Sequence, residues 1–78
     1  MKNKELDNLA KRIKYFRNKL KITQELLAQK CEFDRTYISL IERGKRNPSL
    51  KNLLKLSKGL GISLSILVSS MPEFEDLV

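Results

Sequence analysis

Histidine and tryptophan are absent from the 78 residues, and cysteine occurs once, at Cys31. Without histidine there is no imidazole acid–base chemistry, and one thiol supplies neither a zinc-ligand cluster nor an intramolecular disulfide. A lone cysteine of this kind reads as a small buried apolar residue and not as a redox sensor. Three glycines form no nucleotide-binding loop. Together these absences argue against an enzyme and against a bound cofactor or metal. No apolar run approaches the ~18 residues of a membrane-spanning helix, and the opening MKNKELDNLAKR lacks the apolar stretch of a signal peptide. The expectation is a cytoplasmic protein with no membrane partner.

Acid is also scarce. Nine Asp and Glu stand against sixteen Lys and Arg, a formal charge of +7. A field of that sign on so short a chain favours a polyanion as partner. Its distribution is uneven: residues 11–21, KRIKYFRNKLK, hold six cations and no acid, residues 43–46 add three more, and nothing after Lys58 is basic. The end carries Glu73, Glu75 and Asp76 instead, an acidic tail over 73–78. One domain of this length buries only about 60% of its unfolded surface, so it gains from dimerisation.

Apolar residues at 6, 9, 13, 16 and 20 share one helical face, which predicts a first helix over 5–20. Thr23 is a good N-cap for a second, with Glu25 in its first turn and Leu27, Ala28 and Cys31 inward. Asp34 can cap a third helix from Arg35 to Glu42 with Ile38 and Ile41 inward, closed by Gly44 in the left-handed region. Ser49 caps a fourth that carries Leu50, Leu53, Leu54, Leu56 and Leu60 and ends at Gly61, and Ser63 caps a fifth over SLSILVSS. No alternation of period two is long enough for a sheet. The fold class is all-α, a compact five-helix domain.

Two helices joined by a turn of three or four residues, the second short and polar on one face, make a helix-turn-helix over about 23–43. With Ile38 and Ile41 facing the core, Arg35, Thr36, Ser39 and Arg43 fall on the opposite side, near the end that enters the DNA major groove. Arginine pairs bidentately with guanine O6 and N7, and serine and threonine hydroxyls both donate and accept. Leu40, one turn beyond Thr36, is placed to touch a thymine methyl.

The stretches ITQELLAQK, DRTYISLIERGKRNPSL and LLKLSKGLGISLSIL resemble the Xre family, the helix-turn-helix domains of phage repressors and Cro, over residues 5–68. DRTYIS followed by IERGKRN is most similar to the controller proteins of restriction-modification systems. The resemblance implies a lambda-repressor-like domain that binds a palindromic operator in double-stranded DNA as a homodimer. It also implies a nucleoid-associated place in a bacterial cell, with activation at low occupancy and repression at high, and it leaves open two dimers on adjacent sites.

Residue by residue, it implies that Arg35, Thr36, Ser39 and Arg46 read bases, and that Gln24, Tyr37, Arg43, Lys45 and Asn47 contact the backbone. Gln24 does so at the N-terminus of the second helix, where free N–H groups favour phosphate. It further implies an interior ion pair between Arg17 and Glu42, and an RNA polymerase contact at Glu25. Most family members have glycine where this chain has Glu32, which must then accept a left-handed conformation or alter the turn.

The fourth and fifth helices, over 49–70, carry more apolar surface than one small core buries, so Leu54, Leu64, Ile66, Leu67 and Val68 are expected to form a two-fold dimer interface. Two other readings remain: a phage-type repressor or antitoxin sharing the same domain, and a protein-interaction module whose charge is incidental. The Arg35, Thr36 and Ser39 face is a feature that a pure interaction module does not need.

Overall fold

A computed structural model describes residues 3–69. Five helices follow one another: α1 Lys4–Lys19, α2 Gln24–Cys31, α3 Arg35–Glu42, α4 Leu50–Leu60 and α5 Leu64–Val68. Each begins at a side-chain cap that takes one of the backbone N–H groups a helix start leaves unpaired. Asn3, Thr23, Asp34, Ser49 and Ser63 accept from the amides of Leu6, Leu26, Tyr37, Asn52 and Ile66. Glu5 and Asp7 in the first turn of α1, with Arg17 and Lys19 in its last, also complement the helix dipole. The acidic tail expected over 73–78 lies outside the described residues, as does residue 70 of the expected fifth helix.

α1 starts and stops one residue before the expected 5–20, and Leu20 is its exposed C-cap. The chain turns there, where Lys21 adopts φ 58. Glu32 does adopt the left-handed conformation, at φ 61, closing α2 as its C-cap. Phe33 N–H then reaches back to the Ala28 carbonyl at 2.8 Å, so a residue with a side chain accepts a position that usually suits glycine.

The core takes a fully buried side chain from every helix: Ile13, Leu27, Ile38, Ile41, Leu56 and Leu67. Each such burial contributes about 1.5–3 kcal/mol. Arg12, within the basic run 11–21, turns back onto the fold. It donates to the carbonyls of Ile66 and Leu67 and to Ser69 Oγ while lying over the Phe16 ring, and so fastens α5 to α1.

α2 and α4 cross closely because Gly59 lies inside α4. A Cβ there would stand 2.5 Å from Cys31 Sγ, well inside contact. Gly59→Ala is therefore expected to lose about 1–3 kcal/mol to overpacking, in spite of the better helix propensity of alanine. In the Cys31→Ala background most of that loss should vanish; urea unfolding of the two singles and the double measures the coupling. Burial also pushes the Cys31 thiol from its usual 9.0 up to about 11, against the opposing charges of Lys30 and Lys55. The thiol stays protonated at neutral pH, and the stability it contributes below pH 9 is lost as pH rises through 11.

Candidate nucleic-acid interface

α3 presents two faces. Ile38 and Ile41 are buried, whereas Arg35 and Thr36 stand exposed in the first turn, with Ser39 and Leu40 half-buried beyond them. Asp34 Oδ1 fixes that first turn by accepting from Tyr37 N–H at 2.9 Å. Shallow depressions flank the helix. Toward α2, Arg35 shares one with Arg17, Thr23, Gln24 and Glu25; toward α4, Thr36, Tyr37, Leu40, Arg46 and Asn52 line the other.

The loop behind α3 is shaped by Gly44 at φ 70, where a Cβ would stand 2.7 Å from Asp7 Oδ1. Gly44 N–H donates to the Ile41 carbonyl and Lys45 N–H to that of Leu40, which closes α3 and turns the chain outward. Lys45, Arg46 and Asn47 are exposed in consequence, and Pro48 is buried beneath them. Arg46 is not free, since its guanidinium lies over the Tyr37 ring at 5.1 Å. Arg43 folds back to donate from Nε to the Ser39 carbonyl at 3.3 Å.

Tyr37 is half-buried, packed edge-on against Phe33 with ring centroids 4.8 Å apart. Its hydroxyl accepts from Asn52 Nδ2 at 2.9 Å. Asn52 carried no signal in the sequence beyond its place in a helix start, because the contact joins residues fifteen apart on different helices.

The expected pair between Arg17 and Glu42 is present and two-pronged, Nε to Oε2 at 2.6 Å and Nη2 to Oε1 at 2.9 Å. Arg17 Nη1 also donates to the Ile22 carbonyl, and Gln24 Nε2 to Glu42 Oε1 at 3.1 Å. Gln24 is thus half-buried and braced from within, with only one amide hydrogen left for a phosphate.

Of the five residues expected at a dimer interface, Leu54 and Ile66 are exposed, at 50% and 48%, and Leu64 and Val68 are half-buried. Leu67 is 0% exposed and belongs to the chain's own core. A period of 3.6 puts 67 and 66 about 100° apart on α5, so they cannot share an outward face, and Leu67 supports the apolar surface from beneath. Leu50, at 64% exposed, adds to that surface on α4.

A helix-turn-helix family model matches residues 13–67. The control protein C.MunI of a Mycoplasma species is 52% identical, aligned over 72% of this chain and 86% of its own length. The crystal structure of the restriction-modification controller protein C.AhdI from Aeromonas hydrophila superposes with a TM-score of 0.81 at 37% identity, over 83% of this chain and 98% of that one. The controller protein C.Esp1396I, a tetramer in complex with its natural 35-base-pair operator, gives 0.84 at 38% identity, over 92% and 95%.

Proposed function

The chain belongs to the helix-turn-helix family, among the restriction-modification controller proteins, and from that premise we propose that it is a sequence-specific transcriptional regulator binding an inverted-repeat operator as a homodimer. It controls a restriction-modification system, activating at low occupancy and repressing at high. The observation that carries this reading is the outer side of α3, where exposed Arg35 and Thr36 stand beside an Arg46 held over Tyr37. A cationic fork and hydroxyls on a rigid helix suit base edges, and the cations of the following loop suit phosphates.

Arg35, Thr36, Ser39 and Arg46 read bases; Gln24, Tyr37, Arg43, Lys45 and Asn47 grip the backbone. Leu54 and Ile66, flanked by Leu64 and Val68, join two copies so that their α3 helices lie about 34 Å apart, one turn of DNA. The tetramer of C.Esp1396I on its operator supports two such dimers on adjacent sites. Glu25, exposed at the start of α2, contacts RNA polymerase. Glu25→Lys is expected to keep operator affinity and lose activation in a transcription assay with polymerase; activation at the wild-type level removes that contact.

Selection of bound sequences from a random duplex library at about 150 mM salt, followed by titration against scrambled DNA, tests the function. An inverted repeat bound ~10³-fold or more above the scramble is the expected result. Sequence-blind, salt-sensitive binding alone would overturn it. On the selected operator, Arg35→Ala is expected to lose about 1–3 kcal/mol and relax one base pair, whereas Lys45→Ala weakens specific and random DNA alike. Equal losses for Arg35→Ala on both DNAs would remove its base-reading role.

A further inference from the structure

Tyr37 meets DNA with its hydroxyl already engaged. Asn52, in the first turn of α4, donates Nδ2–H to Tyr37 Oη at 2.9 Å. A phenol oxygen that accepts one hydrogen bond keeps its single proton for another partner. That proton cannot turn back to the amide nitrogen that is donating to it, so it points away from Asn52. The ring is held as well, edge-on to Phe33 at 4.8 Å and 74°, with the Arg46 guanidinium 5.1 Å from its centroid. Thr36, Tyr37, Arg46 and Asn52 line one cleft between α3 and α4, on the side of α3 that carries the reading residues.

The geometry points to Asn52 as a positioning residue for DNA reading, one that sets the Tyr37 hydroxyl as a hydrogen-bond donor toward an acceptor on the DNA. The inference rests on the DNA-binding reading above and adds a residue and a polarity to it. A phosphate oxygen only accepts, as do guanine O6 and N7 and thymine O4. A hydroxyl that donated to α4 instead would offer a lone pair to those atoms and repel them. Asn52 therefore selects the productive rotamer before binding, and the fixed ring keeps Arg46 beside Thr36 in the same arrangement. The role belongs to the Asn52 side chain and not to α4 as a whole, whose start is capped independently by Ser49.

Tyr37→Phe removes the hydroxyl and leaves the ring under Arg46; Asn52→Leu removes the donor and keeps the branching of the side chain. Each is expected to weaken the selected operator about tenfold, the scale of one hydrogen bond to a charged group. The double variant should be no weaker than either single. Thermal unfolding of every variant gives the folded fraction, so that a loss of stability is not counted as a loss of binding. Asn52→Asp keeps the shape and accepts without donating, so it turns the Tyr37 proton toward α4; with the effect of its charge measured in the Tyr37→Phe background, it should lose at least as much as Asn52→Leu.

Additive losses, or wild-type affinity for folded Asn52→Leu or charge-corrected Asn52→Asp, would overturn the positioning role. A Tyr37→Phe loss uniform over single-base-pair operator variants assigns the acceptor to phosphate, and a loss confined to one pair assigns it to a base edge. Wild-type protein that prefers no sequence would sink the regulator reading itself, and the positioning role with it.

Discussion

Arg17→Ala is expected to lower stability by about 3–5 kcal/mol, because it strands the Glu42 carboxylate inside the fold. The side chain of Glu42 is 1% exposed and that of Arg17 13%, so neither charge recovers water when its partner leaves. A domain of this size holds about 4–12 kcal/mol in total at ~0.05–0.15 kcal/mol per residue, so the variant should lose from about a quarter of that stability to all of it. Urea denaturation followed by circular dichroism measures the shift. Arg17→Met combined with Glu42→Leu should recover most of the loss, since an apolar pair of similar volume needs no desolvation of charge. If Arg17→Ala unfolds at the wild-type midpoint, the ion pair is not what joins α1 to the end of α3. The consequence reaches function, because Glu42 is the last residue of α3 and also takes the Gln24 amide. One carboxylate thus sets the tilt of the reading helix against the starts and ends of its neighbours.

The sequence and the structure agree where a local rule decides and part where two distant segments must meet. Thr23, Asp34, Ser49 and Ser63 each stand where a helix begins, and Gly44 and Gly61 where one ends, because capping needs only residues three or four apart. The left-handed Glu32, at φ 61, is one of the two outcomes that the family resemblance left open. The outward side of α3 was legible too, since two buried isoleucines fix which side of a short helix is left over. Arg12 was not legible: its partners are carbonyls 54 and 55 residues away, and nothing in a basic run marks it as a cation that turns back onto the fold. The contact of Gly59 with Cys31 escaped for the same reason, and so did the hydrogen bond from Asn52 to Tyr37. Helical periodicity assigns a residue to a face, but it does not say which helix that face will meet. That limit explains Leu67. Five residues of α5 are too few for a period to separate inside from outside when three of its neighbouring apolar positions compete for the core.

Leu67→Ala and Ile66→Ser should therefore behave in opposite ways, although the residues are adjacent. Leu67 is fully buried in the core, where α5 packs on α1 and α4, and its truncation is expected to cost about 2–5 kcal/mol, the transfer of the lost methyls plus the cavity left behind. On a domain this small that should lower the unfolding midpoint at every protein concentration. Ile66 is half exposed on the surface assigned to the two-fold contact, so Ile66→Ser should leave the fold of one chain intact and weaken its association. The discriminating measurement is sedimentation velocity together with thermal unfolding over a hundredfold range of protein concentration. Ile66→Ser should shift mass toward the monomer and lose most of the concentration dependence that association gives the wild-type unfolding temperature, whereas Leu67→Ala should melt below the wild type at every concentration and keep that dependence. A Leu67→Ala protein with unchanged stability would mean that α5 is packed differently from its place under Arg12. A wild-type chain that is monomeric throughout, with and without operator DNA, would show that the exposed Leu54 and Ile66 serve some purpose other than bringing two reading helices together.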